Sequence, residues 1–227
     1  SGIQKTGGPQ GSFPERFQPG ADQIHAFNWP VGALVEVKID DLTTEEPEFS
    51  TSGEVLDEGL AVTALDLDLA GVFDILPGHV ITLSYVDPAD PDNPLIKSHV
   101  VTGLAISDVE YGADLVFGIA APGEVEVWVC WADGCTGNRL QGTDLDGNWQ
   151  ADFKDAAQAV YDILPGDVVE AVQWDADGNG TMVRFVIPRP VLLGPENGGS
   201  LDNRAPQFQW QEMAGATGYA FTIIQDS

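Results

Sequence analysis

The side chains able to do chemistry in this 227-residue chain form a short roster. Its only cysteines, Cys130 and Cys135, are separated by Trp-Ala-Asp-Gly. That spacer favours a turn, which would bring two strand ends within disulfide range and points to an oxidising compartment, with two free thiols in a reduced cytosol as the alternative. A ring this small stabilises a fold by about 2 kcal/mol in the chain-entropy account, so it would staple one hairpin and not the whole scaffold. Two acidic stretches place hard oxygen ligands at alternate positions: Asp144, Asp146 and Asn148, and Asp175, Asp177 and Asn179. That pattern suits calcium. An EF-hand loop, however, needs Gly sixth and a bidentate acid twelfth, whereas Gly147 and Gly178 come fourth. Asp-Gly is also a preferred hairpin turn, so turn chemistry is the first expectation and calcium the one cofactor left open.

Glycans enter in two ways. Asn179-Gly-Thr181 is the only N-glycosylation sequon, and Ser50, Thr51 and Ser52 offer hydroxyls for other attachment. Exposed aromatic rings can also stack on sugars, and Trp128 and Trp131 flank Cys130. Strand alternation sets Trp128 on the face of Glu124 and Glu126, while Trp149, Trp174 and Trp210 take core positions. For catalysis there is less. His25, His79 and His99 stand far apart, and no zinc-protease, nucleophile-elbow or phosphate-loop spacing occurs, so no enzyme is expected.

These residues must be positioned by strands. Gly (26) and Pro (15) are abundant, which favours short elements joined by tight turns. A balance of 36 acidic to 9 basic residues, net −27, repels nucleic acid and anionic membranes. No apolar run reaches the roughly 18 residues of a membrane span, so no membrane insertion is expected. From Val31, Ala33, Val35, Val37 and Ile39 alternate with Leu34, Glu36, Lys38 and Asp40; Leu65, Leu67 and Leu69, then Ile81 and Leu83, alternate likewise. Each run reads as a strand with one buried face.

The chain also repeats itself. Val72-Phe-Asp-Ile-Leu-Pro-Gly-His-Val80 returns 88 residues later as Val160-Tyr-Asp-Ile-Leu-Pro-Gly-Asp-Val168. Gly32 to Ile39 matches Gly123 to Cys130 when aligned on the glycines. Self-similarity at a fixed period predicts duplicated units. The expected order is a linker or donor tail over 1–23, β-sandwich modules over 24–103 and 104–188, and a partial third module over 189–227. Leu-Pro-Gly is read as a turn entering a strand, and one helical turn is expected from Asp155 to Val160.

Thr143 to Phe153 and the strand from Gly123 to Cys130 resemble bacterial immunoglobulin-like surface repeats. Pro195-Glu-Asn-Gly, Ala205 to Trp210 and Gly215 to Tyr219 resemble the opening strands of fibronectin type III-like domains. The resemblance implies an all-β fold of tandem sandwiches and an extracellular or cell-surface role without catalytic residues. The third module would stop after about three strands, leaving a raw edge for the tail of another copy or for a longer tandem chain. The function expected is a structural segment, a stalk or a head-to-tail fibre subunit. A glycan-binding accessory region of a secreted enzyme or adhesin is the alternative.

Overall fold

Extended segments with alternating apolar residues bury one face each, and they supply nearly all of the regular structure. The computed structural model describes residues 15–43, 45–59, 62–155, 157–194 and 207–211. A first run of strands comprises β1 (Arg16–Gln18), β2 (Gln23–Phe27), β3 (Leu34–Asp40), β4 (Phe49–Glu54), β5 (Leu56–Gly59), β6 (Val62–Asp68), β7 (Val80–Asp87) and β8 (Asp90–Val100). A second comprises β9 (Ala105–Glu110), β10 (Leu115–Ile119), β11 (Glu124–Trp131), β12 (Gly134–Cys135), β13 (Arg139–Gly142), β14 (Asn148–Asp152), β15 (Val168–Trp174) and β16 (Gly180–Val186). Beyond these, β17 (Leu192–Gly194) pairs with β18 (Gln209–Trp210).

Helix is confined, among the described residues, to a 3-10 turn at Pro19–Ala21. The helical turn expected from Asp155 to Val160 is instead a tight turn. The Asp155 carboxylate accepts the Ala157 N–H at 2.9 Å and its carbonyl accepts the Gln158 N–H at 3.0 Å. Local Asp side-chain bonds of this kind compete with helix formation.

The first run packs β1, β2, β6 and β5 against a four-stranded sheet of order β4-β3-β7-β8. Their shared core includes Phe17, Ile24, Val35, Val37, Leu65 and Ile81, all at most 2% exposed. In the second run, β14-β10-β9 packs against β11, β15 and β16 around Val116, Val125, Val127, Trp149, Phe153 and Val169. Full burial of side chains of this size contributes about 1.5–3 kcal/mol each.

Counterparts in the two runs can be read from hydrogen bonds. Asp22 and Asp114 both take the left-handed backbone conformation, at φ 53° and 54°. The Asp22 carbonyl accepts from Leu69 N–H and its carboxylate from Ile75 N–H; Asp114 takes the same bonds from Phe153 and Ile163. Each Leu-Pro-Gly closes a turn with Gly at i+2, and Gly78 and Gly166 have φ 95° and 94°, a conformation nearly reserved for glycine. His79 Nδ1 accepts the Leu76 N–H at 3.2 Å, the same service that Asp167 Oδ2 performs for Leu164 at 2.8 Å.

Pairing register corrects one sequence match. Glu36 lies opposite Ser84 and Glu126 opposite Val172, so Val35 corresponds to Val125 and Val37 to Val127. Aligning the glycines slips the match by one residue, and in a strand that moves every side chain to the other face.

Part of the expected tail is structured. Residues 15–23 supply β1 and the 3-10 turn, and β1 pairs antiparallel with β2 and in parallel with β16. Those residues are thus already engaged within the chain; residues 1–14 lie outside the described set. The parallel pair joins the two runs into a nine-stranded sheet of order β12-β11-β15-β16-β1-β2-β6-β5, with β13 also on β11. In the third segment β18 falls within the Ala205 to Trp210 stretch that carries part of the fibronectin-like resemblance, whereas most residues carrying that resemblance lie outside the described residues.

Candidate functional site

The richest polar constellation lies where the two cores meet. β1 brings Glu15 and Phe17, β8 brings Lys97, Ser98 and His99, and the hairpin between β15 and β16 brings Asp175, Asn179 and Thr181. The Gly180 N–H donates to the Glu15 carbonyl at 2.9 Å, opening the β1–β16 pair. Only glycine fits there, because an added Cβ would lie 2.5 Å from the Trp174 ring.

His99 is 2% exposed. Its ring stacks on Phe17 at 4.9 Å and 7°. Nδ1 lies 2.8 Å from Asp175 Oδ2 and Nε2 lies 2.9 Å from Thr181 Oγ1. Thr181 Oγ1, fully buried, also accepts the N–H of Thr102 in the connection between the cores, at 2.9 Å. Asn179 Nδ2 donates to the Ser98 carbonyl at 3.2 Å. Nearby, the buried Glu15 carboxylate pairs with Lys97 and accepts the Trp29 indole N–H at 3.3 Å. Burial alone would raise the Asp175 carboxyl, but hydrogen bonds from His99, Asn179 and Asp177 outweigh it and hold the group below the usual carboxylate value. A cleft of about 470 Å³ lined by Thr102, Pro122, Glu124, Gln173, Trp174 and Asp177, among others, opens beside this contact.

The two acidic stretches fold as near-copies of one turn. Asp144 Oδ1 accepts the N–H groups of Asp146 and Asn148 at 2.9 and 2.8 Å; Asp175 Oδ1 accepts those of Asp177 and Asn179, both at 2.9 Å. Asn148 and Asn179 return side-chain amides to the same carboxylates. The leading carboxylates are therefore committed to their own backbone. Among the described residues no three His, Cys, Asp or Glu side chains come close enough to hold a metal ion.

Glycan candidates separate. Asn179 is 3% exposed and tied to Ser98, so the folded junction has no room for a glycan on it. Ser50 and Ser52 are exposed on β4, with Thr51 between them half-buried. Trp128 is not the open ring expected from alternation. It is 8% exposed, donates to Glu170 Oε2 at 2.7 Å and packs with Val172 and Met182 on the outer face of the sheet. Alternation assigned the face correctly, but it cannot reveal that cross-strand neighbours cover that face. Trp131, 38% exposed, stacks on Tyr161 at 4.8 Å. The Tyr161 hydroxyl donates to Asp167 at 3.0 Å, and burial together with that carboxylate pushes its pKa up to about 12.

Cys130 and Cys135 form a disulfide within the β11–β12 hairpin, as expected. The three histidines stay apart: His25 pairs with Asp66, His79 serves the Leu-Pro-Gly turn, and His99 sits at the junction. Sequence reading missed His99 and Thr181 as partners of Asp175. The available signal was Phe17, a large apolar residue in a segment otherwise read as tail. Among the described residues no helix is long and apolar enough to cross a membrane.

No protein-family model matches the chain, and no curated protein matches it. Among solved structures it is similar to a tetra-tandem repeat in the extending region of a large adhesion protein, at 14% identity and TM-score 0.28, covering 79% of this chain and 50% of that one. It is also similar to a structure bearing on host cell surface retention of a 1.5-MDa bacterial ice-binding adhesin, at 15% identity and TM-score 0.25, covering 76% of this chain and 60% of that one. The chain thus spans less than two thirds of either structure, and likeness at these scores does not establish a shared arrangement of modules.

Proposed function

We propose that the chain is a non-enzymatic structural segment of an extracellular or cell-surface protein, in which two immunoglobulin-like sandwich modules are locked end to end as a rigid spacer. The observation that carries this reading is the junction. A strand pair, a stacked Phe17–His99 ring pair and the His99–Asp175 and His99–Thr181 hydrogen bonds all cross between the cores. Flexibly linked modules need none of these, whereas a stalk that transmits length and tension needs a fixed angle. In this reading the module boundary lies near residue 103, with β1 added to the first module. The disulfide and the repeated turns serve stability, and the acidic surface keeps neighbouring chains apart in solution.

The glycan-binding alternative loses its platform with the burial of Trp128, leaving Trp131 already stacked on Tyr161. Interprobe distances between spin labels at exposed Ser52 and Leu140 test the spacer reading. A single narrow distribution is expected, and a broad one spanning tens of ångströms would overturn it.

A further inference from the structure

β1 and β9 are counterparts, but only one of them is paired on both sides. Phe17 lies opposite Ile24, two residues past Asp22; Val109 lies opposite Val116, two residues past Asp114. The far edge of β1 carries β16, while β9, among the described strands, pairs with β10 alone. The Val109 N–H, which corresponds to that of Phe17, is met by the carboxylate of its own neighbour Asp108 at 2.8 Å.

A second feature recurs beside this edge. Ile81 lies opposite His99 and Val169 opposite Phe185, so Phe185 stands where His99 does. His99 is covered by the next module, yet Phe185 is 37% exposed. A cleft of about 670 Å³ lined by Ile106 at the start of β9, Arg184 and Phe185 lies beside this edge, its other wall including Pro19 and the exposed Leu76 of the first run of strands.

We propose that the β9 edge and Phe185 dock the last strand of a further module of this kind, in the parallel register of β1 with β16. This rests on the tandem-module reading above. Phe185 offers no hydrogen bond where His99 offers two, so the incoming module would present apolar side chains at the places of Asp175 and Thr181. A second copy of this chain is the wrong occupant. Its free counterpart of β16 is β8, which keeps the register of β16 as far as Leu95, the counterpart of Thr181; the residue before it, where β16 has Gly180, is Pro94, inside the irregularity of the β7–β8 pair, and proline lacks the N–H that Gly180 donates to Glu15. The surface therefore fits a following module in a longer tandem chain, not head-to-tail assembly of identical copies through β8.

The test extends the full chain by inserting a second copy of residues 102–187 between Ile187 and Pro188, with Phe185→His in the first copy to match the polar hairpin of the inserted one. Amide hydrogen exchange at Val109 of the first copy is expected to slow at least about a hundredfold, and Gly180→Pro in the inserted copy to reverse the effect. Unchanged exchange at Val109, with the inserted copy protected in its own β15, would overturn the proposal. If Phe17 in the existing junction also exchanged freely, the tandem reading would fall with it. Should the inserted copy not fold, a peptide of residues 175–187 titrated onto the full chain carrying Phe185→His decides: shifts at Ser107 to Val109 and residue 185 support docking, and their absence refutes it.

Discussion

His99 and Asp175 stand 2.8 Å apart across the boundary between two separately packed cores, one on the last strand of the first and the other on a hairpin of the second. The His99 ring is buried while the Asp175 carboxylate keeps part of its surface in water, and the contact ties the two cores together.

Removing His99 should therefore loosen the junction before it unfolds either module. His99→Ala takes the imidazole from Asp175, uncovers the Phe17 face and leaves Thr181 Oγ1 with the Thr102 N–H alone, and a loss of about 2–3 kcal/mol is expected from the cavity and the broken hydrogen bonds. Calorimetry should show a lowered first transition, and small-angle scattering a wider spread of shapes with both sandwiches intact. Unaltered scattering and melting would mean that the junction contributes nothing.

Acid should act on the same contact. The Asp175 carboxyl is held below its ordinary value, so its stabilising contribution is present above the unfolded carboxylate range near pH ~4 and is lost as pH falls through the lower folded value. Asp175→Asn should flatten that part of the stability profile. A melting curve followed from pH 6 to pH 2 in both proteins measures the difference.

Asp22 and Asp114 should be equivalent in kind and unequal in degree. Alanine at either position orphans a buried N–H, that of Ile75 or Ile163, and keeps a left-handed backbone that alanine disfavours, for about 1–3 kcal/mol. Asp114 is fully buried and also pairs with Lys154 at 2.6 Å, so its replacement should destabilise more. Asn at each site retains an acceptor and tolerates the backbone, and denaturant titration should show partial recovery.

Breaking the Cys130–Cys135 bridge should lower stability by about 2 kcal/mol, a few degrees in melting temperature for a module of this size. The Trp131–Tyr161 stack sits beside that hairpin, so near-ultraviolet dichroism of Cys130→Ser/Cys135→Ser should change with it. An unchanged spectrum would show that the stack holds without the bridge.

Calcium added after chelation should leave the melting temperature where it was, because Asp144 and Asp175 already spend their inner oxygens on backbone N–H groups. An upward shift that Asp144→Ala or Asp175→Ala removes would restore the ion to those turns.

The features legible in the residues alone are local. Alternation placed Val35, Val37 and Ile39 on a buried face, because side chains in an extended chain point to opposite sides with period two. Leu-Pro-Gly marked two turns, since proline presets one backbone angle and glycine alone accepts the next. Even the exchange of Phe73 and His79 for Tyr161 and Asp167 is visible as letters. Only the folded chain shows that a tilted ring pair has become a hydroxyl–carboxylate hydrogen bond.

The remaining features depend on contacts between distant segments. The β11 register differs by one residue from the glycine alignment, and it is set by β15 across the sheet. Whether Trp128 was open or covered depended on Glu170, Val172 and Met182, from strands far along the chain. The parallel contact of Arg16 and Phe17 with Gly180 and Thr181 joins segments with no shared pattern. Periodicity reports which face of a segment avoids water, whereas pairing between distant strands depends on the shapes that the intervening chain has already folded into.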